Sequence, residues 1–215
     1  AQVVEKLNGM GIPASTDDVV TSAIIAAEVT RALHPDSKVL AVGMAGLIEA
    51  IQSRGLTLLD FDHAAEAEVV VMGRDMDFNM RKLEIVCQAI WNGADFIVTN
   101  MDAKVPTATG FVPATGPMIK AVTYATGKEP LVTGKPSKWA GEMAMKALGI
   151  APEQGAVVGD ALEQDIRMGK QAGLFSILVL SGATTAEAAA AADETVRPDL
   201  VLPDVNHLPA WLDGR

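Results

Sequence analysis

Residues 130–137 read PLVTGKPS, and residues 156–166 read AVVGDALEQDI. Each begins as a short apolar run, reaches a glycine beside a charged side chain, and passes into a helical pattern. Runs continuous in Val, Ile and Leu, rather than alternating with polar residues, mark strands covered on both faces of a parallel sheet. Ligands of open parallel sheets sit at the carboxyl ends of the strands, which is where Lys135 and Asp160 fall. Asp165 falls in the first turns of the following helix. Lys135 and Asp160 lie 25 positions apart. That leaves room for one helix, a loop and a strand, so the spacing predicts a βαβ unit with both residues on one sheet edge. A lysine there can hold a phosphate or offset a carboxylate. Two carboxylates beside it suit Mg²⁺, which takes one or two carboxylates plus waters and a substrate phosphate. Taken singly, the same residues read as a loop lysine, a helix cap and a solvated acid; their conjunction points to chemistry.

Similar apolar runs occupy 39–42, 69–72, 96–99, 176–180 and 199–202. Helical patterns fill 16–33, 45–54, 79–92, 115–126, 137–148, 161–172 and 184–192. Gly55, Gly93, Gly127, Gly149 and Gly173 stand just past five of them, where a left-handed residue ends a helix. Strand–helix alternation predicts an α/β protein. At 215 residues, 49% apolar and 20% charged, the chain has the composition of a globular protein of one large or two small domains.

Seventeen Lys and Arg against 27 Asp and Glu give a net charge of −10. That argues against an electrostatic grip on nucleic acid or an anionic membrane. Phosphate chemistry stays open, because a bound cation inverts the local field. No apolar run approaches the roughly 18 residues of a membrane span, and the first residues lack a signal-peptide pattern, so the cytoplasm is the expected location. Cys87 is the one cysteine, which excludes an internal disulfide. It lies at core spacing with Leu83, Val86 and Ile90, which argues against a nucleophile. His34, His63 and His207 share no metal-ligand spacing, and Val42-Gly43-Met44-Ala45-Gly46 lacks the third glycine of a dinucleotide loop.

GKPSKW (134–139), VVGDALEQDI (157–166) and AGLFSILVLSGATT (172–185) resemble the carboxyl-terminal half of the haloacid dehalogenase-like (HAD) phosphatases, in their NagD-like, 4-nitrophenyl phosphatase branch. VVVMGRDMDF (69–78), GADFIVTNMDAKVPT (93–107) and GFVPATGPMIKAVTYATGKEPLVTGKPS (110–137) resemble that branch's α/β cap. VEKL (4–7), GMGIPAS (9–15) and VVTSA (19–23) resemble the linker entering it. The resemblance implies a core and linker segment at 1–15, a cap at 16–128, and the carboxyl-terminal part of a Rossmann-like core at 129–215. It also implies a Mg²⁺-dependent phosphohydrolase that passes through an aspartyl-phosphate and acts on a small phosphorylated metabolite selected by the cap. In that scheme Lys135 offsets charge on the nucleophile and phosphoryl group. Asp160 ligates Mg²⁺ directly, and Asp165 does so directly or through water.

The family's Asp-x-Asp-Gly-Thr-type nucleophile loop should precede the segment matched by Val4 to Ser15. The expectation is therefore an amino-terminal segment outside these residues. The contrasting expectation is a non-catalytic HAD-like binding or interaction protein. LLDFDH (58–63) does contain Asp-x-Asp, but His63-Ala64-Ala65 replaces the Gly-Thr turn, so it reads as a solvated turn. Asp75 and Asp77, after the run at 69–72, and Asn100 and Asp102, after that at 96–99, could face the substrate, but each reads more readily as a turn or cap-loop residue. An incomplete core sheet would expose a strand edge, which a preceding segment or a homodimer contact would cover.

Overall fold

The computed structural model describes residues 2–107 and 109–214. The chain divides into two compact units, Thr21–Gly134 and Ala1–Val20 with Lys135–Arg215. Both are α/β with parallel sheets. The opening helix α1 (Gln2–Gly9) belongs to the second of these units.

In the Thr21–Gly134 unit the elements run α2 (Ser22–Leu33), β1 (Lys38–Val42), α3 (Ala45–Gln52), β2 (Thr57–Leu59), β3 (Val69–Met72), α4 (Met80–Trp91), β4 (Asp95–Val98), β5 (Lys104–Thr107), β6 (Gly110–Pro113), α5 (Gly116–Thr126) and β7 (Leu131–Val132). Five strands form one sheet in the order β2-β1-β3-β4-β7, all parallel. Alternate residues feed opposite faces. Leu40, Val42, Val70, Met72, Phe96 and Val98 pack with Val86, Cys87 and Ile90 of α4 and with Ile119 and Val122 of α5. Val39, Ala41, Val69, Val71 and Ile97 pack with Ala26 and Ala27 of α2 and with Leu47, Ala50 and Ile51 of α3. A doubly covered sheet of this kind requires the unbroken apolar strands seen in the sequence. Burial pushes the Cys87 thiol up, in keeping with a packing role.

Several elements differ from the sequence expectations, among them the unanticipated strand Thr57–Leu59 and helix Leu208–Asp213. The helix expected over 16–33 splits. Ser15 and Asp18 form a capping box around a 3₁₀ turn at Thr16–Asp18, and Thr21 then accepts from the Ile24 amide to begin α2 afresh. The β5–β6 hairpin, antiparallel and separate from the main sheet, was not anticipated.

In the second unit, α6 (Lys138–Leu148), β8 (Ala156–Gly159), α7 (Arg167–Ala172), β9 (Phe175–Val179), α8 (Ala186–Ala190), β10 (Leu200–Leu202) and α9 (Leu208–Asp213) follow. The parallel sheet has the order β10-β9-β8, so β8 is an edge strand among the described residues, and Val158 is 39% exposed. Ile177, Val179 and Leu202 pack with Leu208 and Trp211, and the Trp211 ring stacks on Phe175 at 5.7 Å. Asp199 ties the amino ends of β9 and β10 together. It accepts from the Ser176 amide (2.8 Å) and hydroxyl (2.7 Å) and from Lys170 (2.5 Å). Partial burial opposes its charge, but these donors outweigh that and hold its carboxyl below the usual range.

The sheet partner of Leu131–Val132 is a correction. The predicted βαβ unit would have joined it to Ala156–Gly159, but it pairs with β4 in the other sheet. Backbone pairing decides this: Thr133 N–H donates to the Val98 carbonyl (3.0 Å), as does its hydroxyl, and Gly134 N–H donates to the Thr99 carbonyl (2.8 Å). A side chain at Gly134 would meet that carbonyl at 2.2 Å, so the crossing is built on glycine. The division therefore falls between Gly134 and Lys135. No described helix is long and apolar enough to cross a membrane.

Candidate active site

Lys135 is the first residue past that division, and Asp160 follows the end of β8. The chain then turns through a π-helical segment, Leu162–Ile166, in which the amides of both Asp165 (2.8 Å) and Ile166 (3.3 Å) donate to the Ala161 carbonyl. The wide turn swings the Asp165 carboxylate back over the strand end. Single π turns of this sort occur frequently at functional sites. Gly159 makes room for it, since a Cβ there would sit 2.3 Å from Asp165 Cβ. The Gly-Asp pair in the sequence is thus a steric requirement as well as a turn.

The Asp165 carboxylate is held on both oxygens. Lys135 Nζ donates to Oδ1 at 2.7 Å, and the amides of Asp160 (3.2 Å) and Ala161 (3.1 Å) donate to Oδ2. Asp165 is 9% exposed at its side chain, whereas Lys135 is 49% exposed. The acid is an interior anchor, and the ammonium group is turned partly outward. Charge-assisted contacts of this length are the strong ones.

Asp160 is held differently. Its Oδ2 accepts from the Ala183 amide (2.8 Å), and its main-chain carbonyl accepts from the Thr184 hydroxyl (2.6 Å). Both donors come from the loop after β9, within the SGATT segment. That loop was part of the resemblance but carried no assigned role. Its signal in the sequence is only a glycine and two threonines after an apolar strand.

The structure therefore gathers the three predicted residues into one hydrogen-bonded network, although Lys135 bonds to Asp165 rather than to Asp160. Among the described residues no group of three or more His, Cys, Asp or Glu is disposed to hold a metal. Such a donor set does not make a zinc-type cage. A carboxylate pair, with one member fixed by backbone amides and the other held through one oxygen, fits Mg²⁺, which keeps waters and takes substrate oxygens. Asp165 has both oxygens engaged, so Asp160 is the member suited to direct ligation and Asp165 to the outer position.

The other acidic candidates have structural partners. Asp60 accepts from the amides of Asp62 and His63 and from the His63 ring on an exposed turn. Asp75 is buried against Lys82 at 2.7 Å and accepts from the Asp77 amide. Asn100 accepts from Thr99 and Thr115 and donates to Asp102, which fixes the base of the β5–β6 hairpin.

Two family models match the chain: a HAD-hydrolase-like model over residues 132–208, and a haloacid dehalogenase-like hydrolase model over residues 1–57. An acid sugar phosphatase of Staphylococcus epidermidis is 37% identical over 86% of this chain and 71% of its own length. A 5′-nucleotidase of Bacillus subtilis, YutF, is 36% identical over the same shares. A glycerol phosphate phosphatase from Mycobacterium tuberculosis, solved in complex with magnesium, superposes with a TM-score of 0.89 at 34% identity, covering 96% of this chain and 62% of that one.

Proposed function

The chain belongs to the haloacid dehalogenase-like hydrolases and is a phosphatase of that family, and from that premise we propose that it hydrolyses small phosphomonoesters of sugars, polyols or nucleosides with Mg²⁺ at Asp160. The observation that carries this reading is the network joining Lys135, Asp165 and the main chain at Asp160. The substrate class follows the activities of the relatives, an acid sugar phosphatase, a 5′-nucleotidase and a glycerol phosphate phosphatase.

Phosphoryl transfer asks little covalent chemistry of a protein and much positioning and charge stabilisation. Asp160 would hold the metal, and Asp165 would sit behind it. When bound, the metal supplies Lewis-acid polarisation of a phosphoryl oxygen. The Lys135 ammonium, oriented by Asp165, faces outward and offsets charge on the phosphoryl group. Asp165 fixes that lysine and, through two amides, the turn that presents Asp160. The aspartyl-phosphate route implied by the family uses a carboxylate nucleophile in an Asp-x-Asp-Gly-type loop, and no such motif occurs among these 215 residues. These residues are accordingly assigned the metal-binding and charge-offsetting part of the centre. In this reading Thr21–Gly134 is the cap that selects the leaving group.

The test is phosphate release from 4-nitrophenyl phosphate by the full-length protein. Hydrolysis is expected with Mg²⁺, lost in EDTA and restored by excess Mg²⁺. Hydrolysis indifferent to EDTA, or none from this substrate and from sugar and nucleoside monophosphates, would overturn the reading.

A further inference from the structure

We infer that the loop after β9, through Gly182, Ala183 and Thr184, positions Asp160 and thereby sets the metal affinity of the site. The inference rests on the assignment of Asp160 as a metal ligand. Three independent features of one short loop converge on that residue. The Ala183 amide holds the carboxylate at Oδ2, so the side chain is fixed in one rotation. The Thr184 hydroxyl, itself buried, holds the main-chain carbonyl of the same residue. Gly182 supplies the space: a Cβ there would lie 2.0 Å from Asp160 Oδ2 and 2.5 Å from both its Cβ and Cγ. The φ of Gly182 lies outside the left-handed region, so glycine is required here for closeness and not for backbone freedom. The loop thus grips Asp160 at the main chain and the side chain, and leaves Oδ1 as the oxygen to present. Gly182, Ala183 and Thr184 do not touch the reacting atoms; they act through Asp160. Outer partners of a ligating carboxylate orient it and tune its affinity.

The experiment titrates Mn²⁺, as a probe for Mg²⁺, into the full-length protein and reads free Mn²⁺ by electron paramagnetic resonance. Thr184→Val keeps the shape and removes the donor. It should weaken binding roughly 10- to 100-fold, the span usual for outer-shell partners. Thr184→Ser restores the hydroxyl and should bind within about threefold of the parent, by the same reasoning. Gly182→Ala tests the steric contact without touching the hydroxyl and should weaken binding at least as much as Thr184→Val. Turnover should follow the same pattern. The Mg²⁺ concentration for half-activation rises in Thr184→Val, while kcat at saturating Mg²⁺ stays near the parent value. Parental Mn²⁺ affinity in both Thr184→Val and Gly182→Ala would overturn the inference, as would an equal loss in Thr184→Ser. Asp160→Asn separates the two levels: if it binds Mn²⁺ like the parent, the metal assignment itself fails, whatever the loop variants do.

Discussion

Lys135→Ala lowers kcat/KM roughly 10²- to 10³-fold, the usual loss when one preorganised donor to a developing oxyanion is removed. Two effects add. The ammonium group facing the phosphoryl oxygens disappears, and the Asp165 carboxylate loses its partner at 2.7 Å. The second effect is limited, because the amides of Asp160 and Ala161 still hold the other oxygen. The cost in stability is limited: Lys135 is 49% exposed, so solvent screens its side of the pair, and the buried Asp165 keeps its two amide donors. Activity should therefore fall far more than the thermal midpoint. Lys135→Arg restores the charge but not the activity, since a planar fork does not replace a compact ammonium at one oxygen. The measurement is steady-state hydrolysis of 4-nitrophenyl phosphate at saturating Mg²⁺, beside a melting curve. An alanine variant within about threefold of the parent, well short of the loss expected for a lost donor, would remove Lys135 from the centre.

Asp160→Asn should reduce Mg²⁺-dependent turnover at least about a thousandfold. Charge stabilisation by a bound metal is worth several kcal/mol, and each ~1.36 kcal/mol is one decade of rate. The substitution is isosteric, so the close approach of Gly182 and the Ala183 amide contact are kept. The fold should persist while the charge that attracts the cation is gone. Phosphate release across a Mg²⁺ series checks this. The loss should remain at high Mg²⁺, in contrast to Thr184→Val, where added metal recovers the rate.

The α/β architecture was legible because Val69–Met72, Val39–Val42 and Phe96–Val98 are buried on both faces and so cannot alternate. The grouping of the candidate residues Lys135, Asp160 and Asp165 was legible because Gly159 and Gly134 are dictated by close contacts at strand ends, which leaves a Gly-charged signature in the sequence. The sheet to which Leu131–Val132 belongs was not. A two-residue strand is assigned by main-chain hydrogen bonds, and its side chains carry no record of which neighbour they join. The hairpin escaped because Pro106 and Pro113 argue against strands. The break after Asp18 was written in the Ser15-x-x-Asp18 spacing, but the acidic residues also suit the start of a longer helix. The loop at Gly182 was illegible for a physical reason: its need for glycine arises from a carboxylate 22 positions earlier, and only the folded chain brings them together.

A crystal structure of the full-length protein with Mg²⁺ and orthovanadate, a mimic of the phosphoryl group in transfer, tests the central claim most directly. The predicted result is a metal against the Asp160 carboxylate and a vanadate oxygen within about 2.7–3.2 Å of Lys135 Nζ, hydrogen-bonding distance. Metal and vanadate bound together at another place, with Lys135 and Asp160 contacting neither, would contradict it.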